Sequence, residues 1–234
     1  MRPTIVWAGG AERDLRELPA PLRRDELVKG VGHWEVELGF GKGRYLVRRA
    51  GEHRQLRFLG VEVASQYYRL ARDRASEKGL TNLALIRGEA IYLMAAVLGA
   101  GWAEAVHVYF PDPWPKGRHQ KRRLFDPLTV DLPLGLLRPG GSLYFASDFL
   151  DYGAAVRELL AAHPAVDLEI VDQLWPDGAR TNYEAKFVTE GRPIIRLIAR
   201  RRLTHEVALL HPAGRAGIIA AAKEVEPEPG SDGA

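Results

Sequence analysis

From residue 34 onward, short apolar runs alternate with stretches whose apolar positions recur every three or four residues. The short runs predict strands at Trp34–Leu38, Phe58–Val63, Leu83–Ile86, Ala105–Phe110, Ser142–Ala146, Leu168–Val171 and Ile194–Ile198. The longer periods predict helices at Arg44–Ala50, Ser65–Glu77, Ile91–Leu98, Leu128–Leu137 and Tyr152–Ala162. Gly79 stops the second helix and Arg138-Pro139-Gly140-Gly141 the fourth. Apolar strands alternating with helices predict an α/β fold: a mostly parallel sheet with helices on both faces. Ligands of such sheets lie beyond the carboxyl ends of the strands, where the strand order reverses.

Residues 31–202 read as one domain. Residues 1–30 read as a poorly ordered N-terminal arm with a short helix at Asp14–Leu18. Residues 203–222 are partly apolar and read as a helical extension without an assigned role. Residues 223–234 hold Lys223 against Glu224, Glu226, Glu228 and Asp232 among prolines and glycines, the composition of a disordered acidic tail.

The strand ends carry the candidate chemistry. After the first strand comes Glu37-Leu38-Gly39-Phe40-Gly41-Lys42-Gly43, a turn through which a cofactor can approach the backbone closely. Its G-x-G-x-G spacing differs from the G-x-G-x-x-G of dinucleotide sites, and Glu37 would repel a pyrophosphate. A carboxylate there suits a ligand bearing positive charge, such as S-adenosylmethionine. Glu62 ends the second strand, where an acid commonly accepts from ribose hydroxyls, and Glu89 follows the third, in reach of an adenine amino group. The fourth strand runs into Phe110-Pro111-Asp112-Pro113-Trp114-Pro115-Lys116. Three prolines stiffen this loop, which positions a carboxylate and an aromatic ring. Trp114 either stacks on a base or packs the loop itself. Five cations then fall within Lys116–Arg123, a phosphate-positioning run directly after the loop.

Composition narrows the chemistry. With no cysteine, the chain has no disulfide, no thiolate metal site and no thiol nucleophile. No metal requirement is expected. Net charge is +3, and because the tail is acidic the body is more basic than that figure, which suits a phosphate-bearing partner. No apolar run approaches the roughly 20 residues of a membrane span, so a cytoplasmic protein with no membrane partner is expected.

Glu37–Gly43, Phe110–Leu124 and Thr181-Asn182-Tyr183-Glu184 together resemble signatures of the bacterial tRNA (guanine-N7)-methyltransferases, over roughly residues 30 to 200. The resemblance implies a Rossmann-like class I methyltransferase, with a seven-stranded, mostly parallel sheet whose last strand is antiparallel. Residues 31–202 then become the methyltransferase domain. The implied reaction moves a methyl group from S-adenosyl-L-methionine to guanine N7 in the tRNA variable loop. It makes Glu37, Gly39, Gly41, Gly43, Glu62, Glu89 and Asp112 cofactor-site residues, with Asp112 also catalytic. Lys116, Asp148, Thr181, Asn182, Tyr183 and Glu184 become substrate contacts. Arg118, His119, Lys121, Arg122 and Arg123 become RNA contacts. The partner is tRNA rather than DNA, for a monomer or homodimer. Family members usually carry Asp where Glu89 stands, which shifts that contact by a methylene. Lys42 replaces an uncharged residue and is expected to point outward.

Three alternatives follow from the same residues. A nicotinamide oxidoreductase is disfavoured by the glycine spacing and by Glu37. A methyltransferase for exocyclic amino groups of nucleic-acid bases usually has two adjacent prolines before the aromatic, whereas Pro113 stands alone between Asp112 and Trp114. A non-catalytic RNA-binding module has no need for acids at successive strand ends.

Overall fold

In the computed structural model, the structure describes residues 4–7, 13–14, 21–28, 31–116, 122–205 and 207. The predicted strands all belong to one sheet. They are β3 (Trp34–Leu38), β4 (Arg57–Glu62), β5 (Leu83–Arg87), β6 (Ala103–Tyr109), β7 (Leu137–Ser147), β8 (Val166–Ile170) and β9 (Ile195–Arg201). With β1 (Thr4–Trp7) and β2 (Arg13–Asp14), the order is β2-β1-β5-β4-β3-β6-β7-β9-β8. Strands β5, β4, β3, β6 and β7 run parallel, and β9 lies antiparallel between β7 and β8. The order reverses beside β3, so its carboxyl end and that of β6 flank the switch point.

Central β3 is buried along its whole length, but its two faces differ in chemistry. Trp34, Val36 and Leu38 join Val106, Val108, Leu143 and Phe145 in a large apolar cluster. That cluster is covered by α1 (Arg24–Leu27), α4 (Ala90–Ala96), α5 (Asp131–Leu136) and α6 (Leu150–Ala161). The opposite face carries α2 (Arg44–Glu52) and α3 (Ser65–Glu77), packed through Phe40, Leu46, Val47, Tyr68 and Ala71 onto Phe58, Leu83 and Leu85. Farther along this face, among the described residues, no long helix covers β6 and β7. Trp175 packs there with Tyr45, Tyr109 and Ala146, just before α7 (Asn182–Thr189).

Four readings change. Thr4–Trp7 of the expected N-terminal arm pairs antiparallel with β5, so the sheet has strands beyond the seven of the resemblance. Asp14, expected to begin a short helix, is in a strand. The helix expected over 128–137 is shortened to α5. Asp126 and Thr129 bond neighbouring backbone groups at its start, and Leu137 is extended. Arg138-Pro139-Gly140-Gly141 then bulges from the ladder, since Ala103 pairs with Leu137 but Ala105 with Ser142. Finally, α7 was not foreseen. The rest of the expected short helix, most of the expected 203–222 extension and the acidic tail lie outside the described residues. Among the described residues no helix is long and apolar enough to cross a membrane.

Candidate active site at the carboxyl ends of the strands

The turn between β3 and α2 is held open by backbone conformation. Gly39, Gly41 and Gly43 have φ of 72°, 52° and 70°, a region that side chains disfavour. A Cβ built on Gly39 or Gly41 would meet nothing within 4 Å, so the turn faces free space. Lys42 is exposed, as expected. Glu37 lies beneath, 2 % exposed. Its Oε2 is buried with no hydrogen-bond partner. Burial, then the neighbouring Glu62 carboxylate, pushes its pKa well above the ordinary range, while the Leu46 N–H and Arg180 oppose the rise. A buried acid with one unsatisfied oxygen beside an open glycine turn fits a cationic ligand, as the ammonium and sulfonium of S-adenosylmethionine require.

Glu62 works differently. One carboxylate oxygen accepts from the Gly41 N–H at 2.7 Å and the other from the Ala64 N–H at 2.9 Å. It thus ties the glycine turn to the start of α3, and its pKa is raised chiefly by burial. Glu89 is the N-cap of α4, accepting from Ile91 N–H at 3.0 Å and Tyr92 N–H at 2.7 Å. Its carboxylate is therefore already engaged in capping.

Asp112 projects from a loop built under strain. Phe110 and Trp114, on either side of it, both have positive φ (53° and 41°), a conformation costly for aromatic residues. The loop is pinned where Phe110 N–H donates to the Ala146 carbonyl and Arg123 Nε donates to the Pro113 carbonyl, both at 2.7 Å. Asp112 is solvent-exposed, but the protein beside it desolvates the carboxyl enough to raise its pKa. Its charge also reaches Glu62, so the two acids share one end of the sheet.

The cations after this loop divide. Lys116 is exposed. The Arg122 guanidinium lies 5.1 Å from the Trp114 ring centre, which supports packing of Trp114 into the loop. Arg123 holds Pro113 and lies 4.7 Å from the Tyr152 ring, so it braces the loop. Arg118, His119 and Lys121 lie outside the described residues.

Asp148 follows β7 and pairs with Arg192 at 2.8 Å. In the 181–184 segment, Thr181 caps α7 by accepting from the Glu184 N–H at 3.0 Å. Glu184 is fully buried, accepting from the Arg180 N–H at 2.8 Å and from Arg196 Nε at 2.7 Å. Asn182 accepts from Arg44 of α2 at 3.1 Å. Tyr183 is exposed, with Phe110 and Phe187 behind it at ring distances of 6.3 and 6.1 Å.

Sequence reasoning missed the buried polar network under this site. Glu35 accepts from Arg49 and contacts His107 at 3.2 Å; His107 Nδ1 meets the Tyr109 hydroxyl at 2.8 Å. Burial alone would raise Glu35, but these partners win and hold it down to about 2. Arg180 donates to the Tyr109 hydroxyl at 2.6 Å. The signal available was alternation: Glu35, Glu37, His107 and Tyr109 interrupt otherwise apolar strands on one face.

A doubly wound sheet in this order, with an open glycine turn and acids at its switch point, is the architecture of a class I methyltransferase. A family profile described as "Putative methyltransferase" matches residues 33–197. The tRNA (guanine-N(7)-)-methyltransferase of Thiobacillus denitrificans is 30% identical over 79% of this chain and 82% of its own length. That of Alkalilimnicola ehrlichii is 34% identical over 85% and 84%. A solved 16S rRNA (adenine(1408)-N(1))-methyltransferase from Catenulisporales acidiphilia, with cosubstrate SAM, shares the fold with a TM-score of 0.57. It is 18% identical over 88% of this chain and 99% of its own. The chain belongs to the tRNA (guanine-N7)-methyltransferase family.

Proposed function

We propose that the chain transfers the methyl group of S-adenosylmethionine to N7 of a guanine in tRNA, in the variable loop, and acts in the cytoplasm. The observation that carries this is Asp112, projected by a strained, pinned loop beside the acid-lined glycine turn. When bound, the cofactor supplies an electrophilic methyl group. Guanine N7 carries a lone pair and no proton, so no side chain need act as a base. The protein's work is alignment, and stabilisation of positive charge developing on the purine.

Glu37 holds the cofactor's charged end through its unsatisfied oxygen, and Glu62 keeps the glycine turn in shape while reaching the ribose. Glu89 borders the adenine side as a helix cap. Asp112, as a carboxylate, offsets the ring charge or accepts from the guanine N1–H edge. Asp148 and the 181–184 segment line the base side. There Thr181 and Glu184 supply shape, and Asn182 and Tyr183 supply surface. Lys116, Arg118, His119, Lys121 and Arg122 contact phosphates, while Arg123 maintains the loop. The chain works as a monomer or homodimer.

The test is methyl transfer from labelled cofactor to unmodified tRNA transcripts, with N7-methylguanine-specific cleavage mapping the site, for wild type and Asp112→Ala. Cleavage at one guanine, lost in a folded D112A protein, is expected. Methylation without such cleavage would move the chemistry to an exocyclic amino group. Absence of transfer to any tRNA would overturn the reading.

A further inference from the structure

Arg180 stands immediately before the Thr181–Glu184 segment and is 8 % exposed. Its guanidinium lies among four aromatic rings: Trp175 at 4.4 Å, Tyr144 at 5.0 Å, Tyr45 at 5.2 Å and Tyr109 at 5.7 Å. It donates to the Tyr109 hydroxyl at 2.6 Å and to Asp177 at 3.0 Å, and its main-chain N–H donates to Glu184. Cation–π contact and forked donation suit arginine in a way lysine cannot reproduce.

The same stretch is fastened to the helix that leaves the glycine turn. Arg48 of α2 pairs with Asp177 at 3.1 Å, Arg44 donates to Asn182 at 3.1 Å, and Tyr45 forms one wall of the arginine's cage. The cage thus has walls from α2, β6, β7 and the stretch before α7. Glu37, at the end of β3, is faced by Glu62 from β4, by the Leu46 N–H from α2, and by Arg180. Arg180 is itself faced by Asp177, Tyr45, Tyr109, Tyr144 and Trp175, with His107 near enough to feel its charge.

We propose that Arg180 is a positioning residue that fastens the 181–184 segment to α2, β6 and β7, joining the methyl-donor half of the site to the base-binding half. This rests on the reading of the 181–184 segment as substrate-facing. The charge logic is direct. Glu37 must be ionised to hold a cationic cofactor, but burial and Glu62 both favour its protonated form. The Arg180 charge opposes them. With Arg180 replaced by a neutral side chain, Glu37 would keep its proton to higher pH, and cofactor binding would have to displace it.

The test compares Arg180→Met and Arg180→Lys with wild type, using calorimetric binding of S-adenosylmethionine from pH 6 to 9 and steady-state methylation of tRNA. R180M should bind the cofactor severalfold more weakly near pH 7 and recover as pH rises and Glu37 ionises. R180K keeps the charge and should hold cofactor affinity within about threefold of wild type. It should nonetheless raise the KM for tRNA about fivefold, because an ammonium cannot fork between Tyr109 and Asp177. A cofactor affinity unchanged in R180M, or reduced equally at every pH, would overturn the proposal. If R180M does not fold by circular dichroism, R180K decides, and an unchanged KM for tRNA rejects it. A wild type that fails to methylate tRNA would count against the functional reading, while the cofactor titrations would still judge the link to Glu37.

Discussion

In the proposed reading, Glu37 sets cofactor binding against stability. Below its ordinary pKa of 4.5, Glu37 is neutral in folded and unfolded chains alike, and contributes no pH dependence. As pH rises beyond that value, the unfolded chain ionises freely while the buried carboxyl resists. The folded state therefore loses stability until its own, raised pKa is passed. Glu37→Gln should thus stabilise the free protein at neutral pH, with the advantage vanishing near pH 4. It should at the same time abolish detectable cofactor binding. Denaturant melts at several pH values, paired with calorimetry, check this. An advantage of E37Q over wild type no larger at pH 8 than at pH 4 would mean that Glu37 is not buried as described. Glu37 and Asp112 were both legible from the chain, because each stands at a strand end where the motif pattern points. Arg180 was not, since its significance lies in rings contributed by residues up to 135 positions away in the chain.

At the scale of elements, α7 is defined by its first turn. Thr181 accepts from the Glu184 N–H, while the Glu184 carboxylate reaches back to the Arg180 N–H, a near relative of the reciprocal capping box. The motif read as a substrate signature is thus also a helix-start signal. Thr181→Ala should cost about 1 kcal/mol of stability and loosen the segment that carries Asn182 and Tyr183. The expected result is a raised KM for tRNA with cofactor affinity near the wild-type value. Equal losses in both would show that the cap supports the whole sheet end and not this segment. The short α5 teaches the complementary lesson. Its apolar period extends farther than the helix does, because side chains of Asp126 and Thr129 compete locally for the backbone.

At the scale of the molecule, the acids line the switch point while cations gather around its rim. Lys116 is exposed beside the Asp112 loop, and Arg122 covers Trp114. Replacing Lys116, Lys121 and Arg122 together with Ala should weaken tRNA binding. It should also reduce the slope of log affinity against log salt by about two to three, since each phosphate contact contributes roughly 0.7–0.9. Adding Arg123→Ala should instead lower catalysis through the loop it pins to Pro113. A salt slope unchanged in the triple variant would place the phosphate contacts elsewhere.

The chain by itself determined the alternating strands and helices, the glycine turn and the acids that follow successive strands. Each depends on periodicity or on backbone freedom confined to neighbouring residues. Tertiary structure alone decided which of those acids remain free. Glu37 keeps an unsatisfied oxygen, whereas Glu62, Glu89 and Glu184 are drawn into backbone and ion-pair contacts. It also decided that Arg123 braces a loop and that Arg180 fills an aromatic cage. The physical reason is that a side chain's partners are set by the packing of distant elements across the sheet, and no local pattern encodes that distance.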